Sequence, residues 1–157
     1  MAHEYTTLAL LKRSLGGITD TVRDDLLQDA LEAASRQVDS ICSTDLNRRR
    51  FWLDATATER TYRLTDRVFR EDEGDRVEVG DIGDVTGLVV AYGSTLAGWT
   101  DITADIETCP DNAIADGRAV TSLLYVDKRL PMSAALRLRV TARWGWSEVP
   151  SGVQEAC

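Results

Sequence analysis

The chain has 157 residues, 28% of them charged and 43% hydrophobic, and a net charge of −8. That length suits one domain and buries roughly 70% of the unfolded surface, so a core can form without disulfide or metal staples. The composition excludes wholesale disorder, no apolar run approaches the ~18 residues of a membrane span, and the negative charge disfavours binding nucleic acid by phosphate neutralisation.

In chain order, Met1-Ala2-His3-Glu4-Tyr5 has neither the basic nor the apolar region of a secretory signal. Thr6 or Thr7 is placed to cap a short helix carrying Leu8, Leu11 and Leu15, which Gly16-Gly17 stops. A second helix is predicted from about Val22 to about Cys42. Thr21 with Asp24 resembles a capping box, and Leu26, Leu27, Ala30, Leu31, Ala34, Val38, Ile41 and Cys42 recur at helical spacing. Thr44-Asp45 and Asn47 suggest an exit turn. From Phe51 onward the period moves toward two. Glu59–Leu64 is a strand candidate, Arg70–Arg76 a charged loop, and Val77, Val79 and Ile82 a short strand punctuated by Gly80 and Gly83. Asp84–Tyr92, a weaker region at Trp99–Ile106, and Ser122–Val126 follow as further β structure. Cys109–Ala113 and Ala115–Gly117 are predicted loops.

The strongest strand signal is Ala134–Trp146, where Leu136, Leu138, Val140, Ala142 and Trp144 alternate with Arg137, Arg139, Thr141, Arg143 and Gly145. Such alternation marks a sheet with one buried and one wet face, hence an antiparallel sheet. Pro150, Val153 and Ala156 suggest the start of another helix. Helices and strands are segregated, so the fold class is α+β. The expected architecture is an N-terminal helical hairpin (about 6–45), an antiparallel β region (about 51–146) and the start of a C-terminal helix (150–157), as a single domain over 1–157.

The chemistry-bearing residues are few. His3 is the only histidine, and Cys42, Cys109 and Cys157 form neither a CxxC nor a disulfide framework. No GxxxxGK[ST], GxGxxG or GxSxG is present. The run Glu71-Asp72-Glu73-Gly74-Asp75 lacks the ligand spacing of an EF-hand and is read as a solvated loop. The expectation is a protein without catalytic residues, cofactor or metal.

Charged surfaces remain. Arginine outnumbers lysine sixteen to two, with only Lys12 and Lys128, a bias read first as the mark of a GC-rich coding sequence and second as a choice of the better residue for bidentate interface pairing. Arg48-Arg49-Arg50 beside Phe51 and Trp52 has three readings: a contact to nucleic-acid backbone, a subunit contact, or a basic cluster facing the negative end of the helix dipole. Arg137, Arg139 and Arg143 are either an ordinary wet sheet face or partners for the carboxylates of a neighbouring copy. Trp144 and Trp146, expected on one side of the strand, are read as a core plug or an interface anchor.

Taken together, four pieces resemble the head-to-tail connector proteins of long-tailed bacteriophages, the head completion or adaptor family. They are Tyr5–Lys12 with Leu15-Gly16; the alanine-rich stretch from Asp24-Asp25-Leu26-Leu27 through Val38 to Cys42; Cys109-Pro110-Asp111-Asn112-Ala113; and Val140–Trp146 with Val149-Pro150, Val153 and Ala156. The resemblance spans nearly the whole chain. It implies a structural virion protein at the head–tail junction, made in the host cytoplasm, that forms a ring of about twelve copies below the portal protein. Such a ring extends the DNA channel and gives the next neck or tail-completion protein a platform. Genomic DNA would pass without sequence-specific binding, and Glu71, Asp72, Glu73 and Asp75 are the candidate lumen-facing loop. Relatives usually continue into a full C-terminal helix and tail, of which only 151–157 would stand here. A stopper or tail-completion role and a soluble cellular protein-binding module are the alternatives.

Overall fold

A computed structural model describes residues 4–43 and 49–157. The fold is mixed α+β and dominated by antiparallel sheet. The described residues of 1–52 together with Glu148–Cys157 form one compact unit, and Leu53–Ser147 form another.

The first unit holds α1 (Leu8–Ser14), α2 (Asp24–Cys42) and α3 (Ser151–Ala156). Thr7 caps α1, its Oγ1 accepting from the Leu10 amide at 3.2 Å. Thr21 does not cap α2 as expected. The Asp20 carboxylate takes the Val22 amide at 3.2 Å and the Thr21 carbonyl takes the Asp24 amide at 3.3 Å. A turn therefore occupies the capping groups, and the helix begins at Asp24 with Asp24 and Asp25 at its positive end. The apolar stripe expected on α2 is only partly covered: Leu31 and Ser35 are buried, whereas Leu26 is 68% and Ile41 74% exposed.

Tyr5 anchors this unit. Its amide donates to Ser35 Oγ (3.1 Å), its hydroxyl donates to Asp39, and that hydroxyl accepts from the Phe51 amide (2.9 Å). Its ring meets Phe51 edge-on at 5.6 Å. Burial, and then the bond to Asp39, push the phenol well above the ordinary tyrosine range.

The second unit is one seven-stranded sheet: β1 (Thr58–Arg63), β2 (Val68–Glu71), β3 (Gly74–Ser94), β4 (Gly98–Asp101), β5 (Ile106–Cys109), β6 (Val120–Val126) and β7 (Arg137–Trp144). A short 3-10 helix, Thr103–Asp105, precedes β5. The order is β1-β7-β3-β6-β5, with β2 and β4 also on β3, and every pairing is antiparallel.

β3 organises everything else. Its first part pairs with β2 and β6, its last part with β4 and β7, and Ile82 faces Val120 on one side and Trp144 on the other. The two strands and intervening breaks expected over 77–92 are this one strand of 21 residues. Gly80 and Gly83 are not turn residues in it; they let neighbours approach. A Cβ at Gly83 would lie 2.8 Å from the Gly145 carbonyl oxygen, and one at Gly80 would lie 2.8 Å from Arg60 Nη1. Beyond Gly83 the ladder bulges: Asp84 and Val89 of β3 face Arg143 and Thr141 of β7.

β7 alternates as its sequence predicts, with Leu138, Val140, Ala142 and Trp144 buried and the intervening residues half-exposed. They join Val77, Val79, Ile82, Val90 and Leu123 in the core. The strand ends at Trp144, because Gly145 turns with φ +111°. The two indoles consequently bind different partners: Trp144 Nε1 donates to the Thr58 carbonyl at 2.8 Å, and Trp146 Nε1 to Asp81 Oδ2 at 3.0 Å. Trp144 is the core plug.

Candidate functional site

The wet face of the β1–β7–β3–β4 sheet is built by period-two alternation. Where Tyr62, Leu138 and Val140 face the core, Glu59, Thr61, Arg63, Arg137 and Arg139 must face away. Register places Arg63 directly across from Arg137, and Thr61 across from Arg139. On the other side of β7 the neighbours are small, Ala91 opposite Arg139 and Gly93 opposite Arg137. Over that low floor Arg139 reaches the Trp99 ring of β4, its guanidinium carbon 4.4 Å from the ring centroid. Its Nε also pairs with Glu59 Oε2 at 3.3 Å. Arg137 is held differently, donating from Nη1 to the carbonyls of Ala134 (2.6 Å) and Leu136 (2.9 Å). Glu59, Arg137, Arg139 and Trp99, with Thr61 and Ser94, line an open groove of about 490 Å³, and Arg63 flanks it across from Arg137.

Arg143, expected with these two arginines, belongs elsewhere. Its Nη1 pairs with Asp84 Oδ2 at 2.8 Å and its Nε donates to the Asp54 carbonyl at 3.1 Å. The bulge in β3 brings Asp84 under it, so Arg143 braces the sheet rather than extending the groove. The Asp84 carboxyl is lowered below its ordinary value first by the Thr86 amide and hydroxyl, with Arg143 adding to that.

The acidic segment is a β-hairpin rather than a loop: Glu71 ends β2 and Gly74 begins β3, with Asp72-Glu73 at the tip. Asp72 and Glu73 are exposed, and Glu71 pairs with Arg76. Asp75 departs from the expectation of a solvated carboxylate. It is 0% exposed, with Oδ1 2.9 Å from Arg129 Nη1 and Oδ2 accepting the Leu130 amide at 2.8 Å. Period two explains the difference, since Asp75 sits one residue from Arg76 and points to the opposite side of the strand. It ties the segment after β6 to the sheet and presents nothing to solvent.

In the first unit, Arg49, Arg50 and Trp52 come together. Two guanidinium groups stand over the Trp52 ring, Arg36 at 4.7 Å and Arg50 at 4.9 Å from its centroid, and Arg36 pairs with Asp39 at 2.8 Å. The Arg49 amide donates to Ser43 Oγ at 3.1 Å. The last turn of α2 holds no basic residue of its own, and Arg49 and Arg50 line a cleft with Asp39, Ser40 and Ser43 at that end of the helix. Arg48 lies outside the described residues.

Sequence reasoning missed Arg63 and Trp99 as parts of the charged face. Arg63 was legible as the third member of the Glu59, Thr61, Arg63 alternation; Trp99 carried no signal, because only the β3–β4 pairing brings it to Arg139. No helix among the described residues is long and apolar enough to cross a membrane. No protein-family model matches the chain, and no curated protein or solved structure does.

Proposed function

We propose that this chain is a structural virion protein, a head-to-tail adaptor that forms a ring below the portal protein. The ring extends the DNA channel and offers a docking platform to the next neck or tail-completion protein. The observation that carries the reading is the chain order: two helices, an antiparallel β unit, then a return at Ser151–Ala156 to the helical unit, directly after the Trp-Gly-Trp ending. That order is the layout of the connector family whose motifs the sequence resembles. The helical hairpin of that family corresponds to α1 and α2. The charged faces are open surfaces suited to protein contacts rather than enclosed pockets. A net charge of −8 per copy suits a channel wall that DNA slides past, because phosphate contacts are what make such binding tight.

The function is assembly, with no bond made or broken. The test is the native mass of the protein alone and after mixing with the portal ring of the same source. The expected result is a small species alone at low concentration and a gain of about twelve copies on the portal. A portal that gains no mass at low and at physiological salt would exclude the adaptor role; capture by a later neck protein instead would favour a stopper or tail-completion position.

A further inference from the structure

We infer that the arginine groove of the β1–β7–β3–β4 face receives the Asp72-Glu73 hairpin tip of a second copy of this chain. The inference rests on the ring reading for its biological setting, but the observations that carry it are local. Arg63 and Arg137 stand directly opposite each other on adjacent strands, a like-charge arrangement that costs stability. Among the described residues Arg63 has no ion-pair partner, and Arg137 is met only by backbone carbonyls. Glu59 is the one carboxylate lining the groove, and Arg139 already engages it. In a chain of charge −8, a cluster of arginines left with so little compensation is a site awaiting an anion.

The complementary group is on the same chain. Asp72 and Glu73 project from a two-residue turn, exposed and without ion-pair partners among the described residues, since Arg76 engages Glu71 instead. The tip lies at the start of β3 and the groove at its end, where Ala91, Gly93 and Ser94 form the floor. A copy therefore carries the acid at one end of its longest strand and the receptor at the other. Contacts between two different patches are heterologous: each copy donates to one neighbour and receives from the other, so the chain of contacts closes into a ring when the rotation allows. Arg137 and Arg139 in the groove, and Arg63 at its flank, offer bidentate donors to the carboxylates of such a tip. This places Asp72 and Glu73 between copies rather than on the channel wall.

Complementary charge reversal tests it without the portal. One variant carries Arg63→Glu and Arg137→Glu; the other carries Asp72→Lys and Glu73→Lys. Sedimentation is read at about 0.1 M salt, where a Debye length of ~10 Å screens the net charge of separated copies but not groups in contact. The wild type should associate with rising concentration. Each variant alone should associate about tenfold or more weakly, and a 1:1 mixture should recover the wild-type behaviour, because each variant then meets its opposite charge at both ends. Recovery also certifies that both variants fold; should the double groove variant fail to fold, Arg63→Glu alone removes the exposed member. Wild type that stays monomeric at every concentration, variants that associate like wild type, or a mixture that does not recover would each overturn the contact. Lost oligonucleotide binding with association unchanged would also overturn it, in favour of a phosphate site. Failure of the adaptor role looks different: charge-dependent association would persist while the portal gained no mass.

Discussion

Single residues carry much of the stability, and Asp75 is the clearest. A carboxylate with no exposed surface is tolerated only when its oxygens are satisfied, and Arg129 and the Leu130 amide satisfy both. Asp75→Ala should cost about 2–3 kcal/mol, mostly through the buried Leu130 amide left without an acceptor, and denaturant unfolding measures it. Trp144→Ala should cost more, about 3–5 kcal/mol, by emptying the centre of the sheet core. Tyr5 makes a pH prediction. Its folded-state pKa lies above the unfolded value of about 10, so its contribution is complete below that pH and is lost as the pH rises beyond it. The difference in alkaline absorbance between wild type and Tyr5→Phe should appear only above the ordinary tyrosine range and together with unfolding. Ionisation of Tyr5 within that range would contradict the buried, acceptor-bonded phenol.

At the scale of elements, the two glycines inside β3 separate close packing from flexibility. A Cβ at Gly83 meets backbone, the Gly145 oxygen, whereas one at Gly80 meets the end of the Arg60 side chain, which can move. Gly83→Ala should therefore destabilise by about 1–3 kcal/mol and Gly80→Ala by less, in the same unfolding assay. Equal costs would mean that strand glycine content, not contact, decides. Leu26 on α2, 68% exposed, should tolerate Gln within about 0.5 kcal/mol.

These elements also show what was legible beforehand. β7 was readable because one of its faces is dry and the other wet, so burial imprints period two on the residues. α2 was readable from its spacing, but spacing alone does not reveal which side chains find a cover, and Leu26 and Ile41 do not. β3 was hidden because glycines that serve close approach look like glycines that break strands. The hairpin at 71–74 was hidden because the residues around its turn are charged, so no apolar alternation marks the backbone pairing. The groove was half visible: Arg137 and Arg139 stood out within one strand, while Arg63 and Trp99 join them only through long-range pairing that no local pattern encodes.

For the whole molecule, net charge and local charge work against each other. Copies of charge −8 repel at long range, whereas the groove and the hairpin tip attract at contact. Self-association should therefore peak at intermediate ionic strength. It should be weak near 0.01 M, where the Debye length is ~30 Å, and weak again near 1 M, where it is ~3 Å. Light scattering across a salt series reads this directly, and a monotonic rise with salt would mean that apolar surface drives association instead.

The central position of β3 has a consequence for how the protein is made. Its last part pairs with β7, which follows it by roughly 40 residues, so at about 5–20 residues per second a ribosome needs several seconds to supply the partner. During that interval the last part of β3, carrying Ile82, Val89 and Val90, has one ladder unfilled and is open to pairing with other nascent chains. High contact order of this kind slows folding. The chain's safest moment therefore comes only once Arg137–Trp144 has emerged, and slowed translation between residues 94 and 137 should lower soluble yield while leaving the stability of the finished protein unchanged.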